Sequence, residues 1–262
     1  MKTENKQTRM IAVSSGKGGV GKTNAVANLA MTLGKQNKKV LIFDADTGLG
    51  NIDILMGLSP EHNLEHVLSG QKDIKEIIIK YNRNVHVLPA ASGVQQLAEL
   101  RNEQHLAISA EFDSLMGGYD VMLMDTGAGI SSNVTLFCAS AHDIFVIITP
   151  EPTSLVDAYA LIKVLSQNHN QKRFKVLENL VKSEKEAKTP YMNLSAVTDH
   201  YLPSIYVGYL GYILFDEHMA KAVRMQKPVA ECYPYSKASK CFAQLADKIA
   251  GWKSVEHSSF NL

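Results

Sequence analysis

Residues 16–23 read Gly-Lys-Gly-Gly-Val-Gly-Lys-Thr, and no other stretch constrains the fold of this chain as tightly. Gly16, Gly21, Lys22 and Thr23 satisfy the phosphate-binding pattern G-x-x-x-x-G-K-[ST]. The pattern has chemical meaning only between a strand and a helix, and its flanks supply both. Met10-Ile11-Ala12-Val13 is an apolar run of strand length, and Ala27, Leu29, Ala30 and Leu33 recur at helical spacing. Glycines in such a loop let backbone N–H groups close around phosphate oxygens, backed by the positive end of the helix dipole. Lys22 is then the candidate for the terminal phosphates, and the Thr23 hydroxyl the candidate ligand for Mg²⁺. A glycine-rich turn holding no nucleotide is the alternative, and the complete match in this context argues against it.

The rest of the chain reads as alternating strand and helix. Apolar, β-rich runs appear at Ile11–Ser14, Lys39–Asp44, Val85–Leu88, Tyr119–Asp125, Ile144–Thr149, Phe174–Asn179 and Tyr206–Leu214. Ile144-Phe145-Val146-Ile147-Ile148 is apolar throughout, as suits a parallel strand covered on both faces. The expectation is an α/β fold: one domain with a doubly wound, mostly parallel sheet and helices on both faces. Its bounds are expected at residues 10–252, after a short polar extension (residues 1–9) and before a tail (residues 253–262). Ligands of such sheets sit at the carboxyl ends of the strands.

Two acidic motifs fall at such ends. Asp44 and Asp46 follow the run Lys39–Phe43, and two carboxylates one residue apart can serve different partners if the second lies on the turn. An acidic turn capping a helix is the other reading of Asp46. Asp125 follows Tyr119–Met124 and suits a carboxylate reaching Mg²⁺ through water. Gly127 and Gly129 behind it read as a mobile segment able to sense a γ-phosphate.

Composition narrows the partners. Lys and Arg number 27 and Asp and Glu 26, a net charge of +1, so no global pull toward DNA or an anionic membrane follows. The three cysteines stand far apart without a C-x-x-C pair, which argues against a disulfide framework, a zinc site and an iron–sulfur carrier. Residues 1–9 lack the apolar core of a signal peptide. Tyr201–Phe215, broken by Pro203, Gly208 and Gly211, is too short to span a bilayer. A soluble cytoplasmic protein is expected.

Lys17, beside the glycines of the loop, makes the P-loop K-G-G-x-G-K-[ST], which resembles the deviant Walker A motif of the MinD/ParA family. Three segments narrow the resemblance to the FlhG/FleN branch: Lys22-Thr-Asn24, the run from Thr149 to Lys163, and Pro234–Ser239. The resemblance implies an ATP-dependent, dimerising switch with slow ATPase activity, acting on flagellar number, placement and gene expression. Its implied cofactors are ATP and Mg²⁺, bound by Gly16, Lys17, Gly18, Gly19, Val20, Gly21, Lys22, Thr23 and Asn24. It implies that Lys17 reaches the phosphates of a second protomer and that Asp46 orients the attacking water. Asp44, with Thr23 and Asp125, would hold the metal and its hydration shell. It also implies adenine contacts from Asn179 and Asp216, which read equally well as a strand-end cap and a helix N-cap. Leu214 stands where relatives carry a proline, which leaves the loop over the base open.

Implied partners are a second copy in ATP, a FleQ/FlrA-like transcription activator, the FlhF GTPase and flagellar C-ring proteins. Relatives that stimulate FlhF carry a helix before the first strand, where this sequence has nine polar residues, so the activator-restraining sub-branch is favoured. Ser236–Trp252 carries Phe242, Leu245, Ala246, Ile249 and Trp252 at helical spacing with Lys237, Lys240 and Lys248 among them. This reads either as a helix docking on the inner membrane face or as the helix that closes the domain. A ParA-like DNA or cargo positioner and a MinD-like division-site ATPase are the alternatives; balanced charge argues mildly against direct nucleic-acid binding.

Overall fold

The computed structural model describes residues 7–46, 51–89 and 102–252, without side chains for 102–107. Among these, eight strands form one sheet: β1 (Arg9–Ser15), β2 (Val40–Ala45), β3 (Ile79–Lys80), β4 (Val85–Leu88), β5 (Val121–Ala128), β6 (Asp143–Ile148), β7 (Arg173–Val181) and β8 (Tyr206–Leu214). Their order across the sheet is β3-β4-β2-β5-β1-β6-β7-β8, parallel throughout except for the antiparallel edge pair β3–β4. Ten helices accompany them: α1 (Lys22–Lys35), α2 (Ile52–Leu55), α3 (Leu64–Leu68), α4 (Asn102–Asp113), α5 (Ser132–Ser140), α6 (Pro152–His169), α7 (Glu184–Tyr201), α8 (Glu217–Arg224), α9 (Val229–Cys232) and α10 (Lys237–Ala250). This is the doubly wound, mostly parallel sheet expected. Its central strand, β1, leads into the P-loop.

The period-2 geometry of strands sorts one apolar run into two cores. In β1, Met10 and Ala12 face α3 to α7, whereas Ile11 and Val13 face α1, α2 and α8 to α10. Phe43 anchors the first core, meeting Phe112 and Phe137 edge to face at 5.1 and 5.3 Å.

Several boundaries differ from the sequence reading. β5 runs past Asp125 through Gly127 to Ala128, so Gly127 is held within the sheet, where the sequence suggested a mobile segment. Only Gly129 takes a positive φ, +88°. β7 likewise passes Asn179 and ends at Val181. The two-residue β3 is too short to show a strand pattern in sequence. The proposed tail, residues 253–262, lies outside the described residues.

Of the two readings of Ser236–Trp252, the structure shows the helix that closes the domain. Phe242, Leu245, Ala246 and Ile249 are all buried, between 0 and 3% exposed, with α10 against α1 and β8. A Cβ on Gly211 of β8 would come within 2.8 Å of Leu245, and Lys248 Nζ donates to the Leu210 carbonyl at 2.8 Å. Trp252 then meets Phe145 edge on and lies beneath Arg9 and Lys175, both ion-paired to Asp143. In this packing the apolar face of α10 is buried against the domain.

On the sheet face away from α10, Glu178 is fully buried in β7. Pro190 interrupts α7, and the Tyr191 N–H next to it donates to Glu178 Oε1 at 2.8 Å. Oε2 has no partner, and burial pushes the carboxyl up to about 7 although the Tyr191 N–H opposes the shift.

Two expectations follow. Phe242→Ala should cost about 3–5 kcal/mol in urea unfolding without any lipid present, as loss of a buried phenyl ring does; a change near zero would return α10 to the membrane. Glu178 binds its proton more tightly folded than unfolded, so its favourable contribution is present in acid and is lost as pH rises toward 7. Glu178→Gln should therefore gain stability relative to wild type across that window, by up to about 3 kcal/mol above it. Unfolding midpoints of the two proteins at a series of pH values would show the gap widening; a constant gap would refute the raised carboxyl.

Candidate functional site

Only glycine fits at two points of the loop between β1 and α1. A Cβ on Gly16 would lie 2.1 Å from the Asp157 carbonyl group and 2.6 Å from the Ala158 nitrogen, so the loop rests directly on α6 backbone. Gly21, the N-cap of α1, has φ +90°, and its Cβ would meet Asn179 Nδ2 at 2.4 Å. Gly18 and Gly19 have open space around them, and Val20 is buried. No side chain caps α1 and its first turn carries no acid, which leaves its N–H groups and dipole to an anion. Lys22, 8% exposed, opens that helix, followed by Thr23 and Asn24.

The carboxylates converge from the neighbouring strands. Asp44 in β2 and Asp125 in β5 are direct partners in the parallel register and are 3% and 1% exposed. Burial raises both pKa values; the Asp125 charge adds to the rise at Asp44. At Asp125, Thr23 and Lys22 favour the ionised form, while Asp46 opposes it. Neither Asp125 oxygen has a hydrogen-bond partner of good geometry. Two buried carboxyls, one orphaned, beside a threonine hydroxyl suit a hard divalent cation that keeps most of its water. Asp46 turns back over the same strand end: its N–H points to Asp44 Oδ1 at 3.4 Å, and its own Oδ1 would lie 3.4 Å from a Cβ on Gly127. Thr47–Gly50, the remainder of that motif, lie outside the described residues.

Lys17 points elsewhere. Its Nζ donates to Glu151 Oε2 at 2.6 Å and Thr153 Oγ1 at 3.3 Å, both at the start of α6. Lys17 and Glu151 are 39% and 62% exposed, so the pair lies on the surface beside the loop. Nothing in the sequence singled out Glu151, because only the fold brings residues 134 apart in the chain together.

The two residues carried over for adenine do structural work here. Asn179 donates to the Val20 carbonyl at 2.7 Å and accepts from the Leu180 N–H, bracing the P-loop from β7. Asp216 caps α8 through the His218 N–H at 2.9 Å and reaches the Ala238 N–H at the start of α10 at 3.0 Å. Burial opposes its ionisation, but these donors outweigh that and hold its carboxyl well below the usual range. Both oxygens are thereby engaged, so the helix-cap reading describes Asp216 in this structure. The sequence offered no sign of two exposed apolar neighbours at these strand ends, Leu180 (φ +61°) and Phe215. Leu180 continues an apolar run in sequence, and only its backbone turn brings it to the surface.

A family described as "AAA domain" matches residues 8–177. The antiactivator FleN of Pseudomonas aeruginosa is 40% identical over 244 residues, covering 93% of this chain and 87% of its own. The flagellum site-determining protein YlxH of Helicobacter pylori is 34% identical, covering 93% of this chain and 81% of its own. Among solved structures, the septum site-determining protein MinD of Pyrococcus horikoshii, complexed with Mg-ADP, superposes with a TM-score of 0.73. It is 27% identical over 93% of this chain and 98% of that one. Likeness to these proteins over 93% of the chain, on a fold whose central strand ends in a two-lysine P-loop, places it in the FlhG/FleN branch of the MinD/ParA family of P-loop ATPases.

Proposed function

We propose that this protein is an ATP-driven dimer switch with slow ATPase activity that regulates flagellar number and placement and flagellar gene expression. The observation that carries the reading is one P-loop bearing two lysines aimed apart, Lys22 inward and Lys17 outward, with Asp44, Asp46 and Asp125 gathered at its edge. Lys22 and the N–H groups of the loop bind and neutralise the phosphates. Asp46 orients a water for attack on the γ-phosphorus, the bond to the ADP oxygen breaks, and phosphate leaves. Thr23, Asp44 and Asp125 would hold Mg²⁺, which when bound offsets charge on the phosphates; the orphaned Asp125 oxygens fit that role. A single carboxylate orienting water is a modest catalyst, in keeping with a timer rather than a fast hydrolase.

Lys17 would exchange Glu151 for the phosphates of a second protomer. An exposed pair of this kind is worth about 0–1 kcal/mol, so giving it up opposes dimerisation little. Leu180 and Phe215 offer apolar cover for a base ring near Asn179. The name of the Pseudomonas relative points to a transcription activator as partner, and that of the Helicobacter relative to flagellar site selection. We infer an activator of the FleQ/FlrA type, with the FlhF GTPase and C-ring proteins as further partners, in the cytoplasm or at the inner face of the cell pole. Among the described residues no helix is long and apolar enough to cross a membrane.

The test is solution mass, by size exclusion with light scattering, in ADP and in ATP–Mg²⁺. Asp46→Ala should be a monomer in ADP and a lasting dimer in ATP, with hydrolysis slowed by roughly a hundredfold or more. Lys17→Ala should bind ATP yet remain a monomer in both nucleotides. A mass indifferent to nucleotide in wild type and in both variants would overturn the switch.

A further inference from the structure

Far from the P-loop, at the amino ends of β2, β4 and β5, lies a cleft of about 510 Å³. Among the described residues, four cationic side chains line it, Lys39, Lys75, Lys80 and Arg83, and no acidic residue does. In a chain with a net charge of only +1, that concentration is local rather than a reflection of composition. The four come from separate segments: Lys39 precedes β2, Lys75 lies between α3 and β3, Lys80 is on β3, and Arg83 is in the β3–β4 turn.

Lysines on an exposed edge strand discourage edge-to-edge pairing, and that accounts for Lys80 alone. It does not account for convergence from before β2 and from the α3–β3 connection. Nor do the described residues neutralise these cations. None of the four makes an ion pair among the described residues, whereas Lys72 and Lys227 close by are paired with Glu76 and Glu231. Asp120, next to Tyr119, turns one carboxylate oxygen to the Lys39 backbone N–H.

The floor of the cleft is built. His86 Nδ1 and the Tyr119 hydroxyl are 2.9 Å apart, and their rings stack edge on at 5.5 Å. Burial lowers the His86 pKa, and the charges of Lys80 and Lys39 lower it further. Ile78 and Leu115 add apolar wall. A cleft of this size, with apolar wall, hydrogen-bonding floor and converging cations, suits a small organic anion better than a duplex, which needs an extended basic stripe.

We infer that this cleft is a second anion site, separate from the nucleotide site, that takes a small ligand bearing at least two phosphate charges. Lys75, Lys80 and Arg83 bind its phosphates, Lys39 closes the field, and the His86–Tyr119 pair meets its polar body. β2 and β5 run from this cleft to Asp44 and Asp125, so the two sites stand about 16 Å apart along the same strands. A free metabolite and a lipid headgroup present the same phosphate chemistry to these side chains.

The experiment is calorimetric titration of inorganic pyrophosphate into the full chain with the P-loop already filled by ADP–Mg²⁺. Wild type should show one saturable site. Lys80→Gln/Arg83→Gln should bind roughly ten-fold more weakly or not at all, and Lys75→Gln, which leaves the β3–β4 turn untouched, should also weaken it. Lys72→Gln, outside the cleft, should leave it unchanged, and all variants should keep the wild-type melting temperature and ATP affinity. Cosedimentation with phosphatidylglycerol vesicles that depends on Lys80 and Arg83, and is competed by pyrophosphate, would assign the phosphate to lipid. Pyrophosphate binding without vesicle binding would assign it to a free ligand. No saturable pyrophosphate binding by wild type, equal binding by the double variant, or binding only of duplex DNA through these residues would overturn the inference.

Discussion

Two carboxylates face each other across adjacent strands in the interior of this protein, and the functional site is organised around that conflict. Parallel pairing of β2 with β5 sets Asp44 directly against Asp125, both removed from water. Burying one unpaired carboxylate is costly and burying two side by side is more so. The surroundings offset the conflict only in part. Thr23 and Lys22 favour the charged form of Asp125, but its oxygens still lack well-placed donors. A divalent cation with its water, and phosphates at Lys22, would relieve the remaining conflict in the function we propose. Free-energy strain of this sort is affordable because three central strands and two apolar cores hold the surrounding sheet rigid.

The P-loop is fixed in the same fashion, by contacts that tolerate no extra atom. Gly16 rests against α6, and Gly21 against the amide of Asn179 on β7. Both contacts come from the half of the sheet that carries β6 and β7. Lys17 extends this link to the surface, where Glu151 and Thr153 at the start of α6 hold it. The N-cap and first two turns of α6 carry both the Lys17 partners, Glu151 and Thr153, and the Gly16 contact at Asp157 and Ala158. A shift of Lys17 toward a second protomer would thus be felt at the same helix that seats the loop.

Much of this was legible from residues alone, and the reasons differ by element. The P-loop, Asp44 and Asp125 could be located because each follows an apolar strand, and hydrophobic periodicity is a local property. β5 and β7 were read short because Gly127 and Asn179 resemble turn residues, while the neighbouring strands hold them extended. Asn179 and Asp216 read from sequence as base contacts or as caps. In the structure their amide and carboxylate engage Val20, His218 and Ala238, partners that no local pattern reveals. The C-terminal amphipathic helix was ambiguous for a deeper reason: a lipid surface and a β-sheet ask for the same apolar stripe.

By itself, then, the sequence determined the class of fold, the loop that grips phosphate and the strands that deliver its acidic partners. These depend on short-range spacing and on the chemistry of single residue types. Only the tertiary structure decided which face α10 covers, that Glu151 holds Lys17, that Asn179 braces the loop, and that Lys39, Lys75, Lys80 and Arg83 line one cleft. Each of those facts joins residues distant in the chain. The crossovers of a parallel sheet set such distances, and they leave no mark on the residues they bring together.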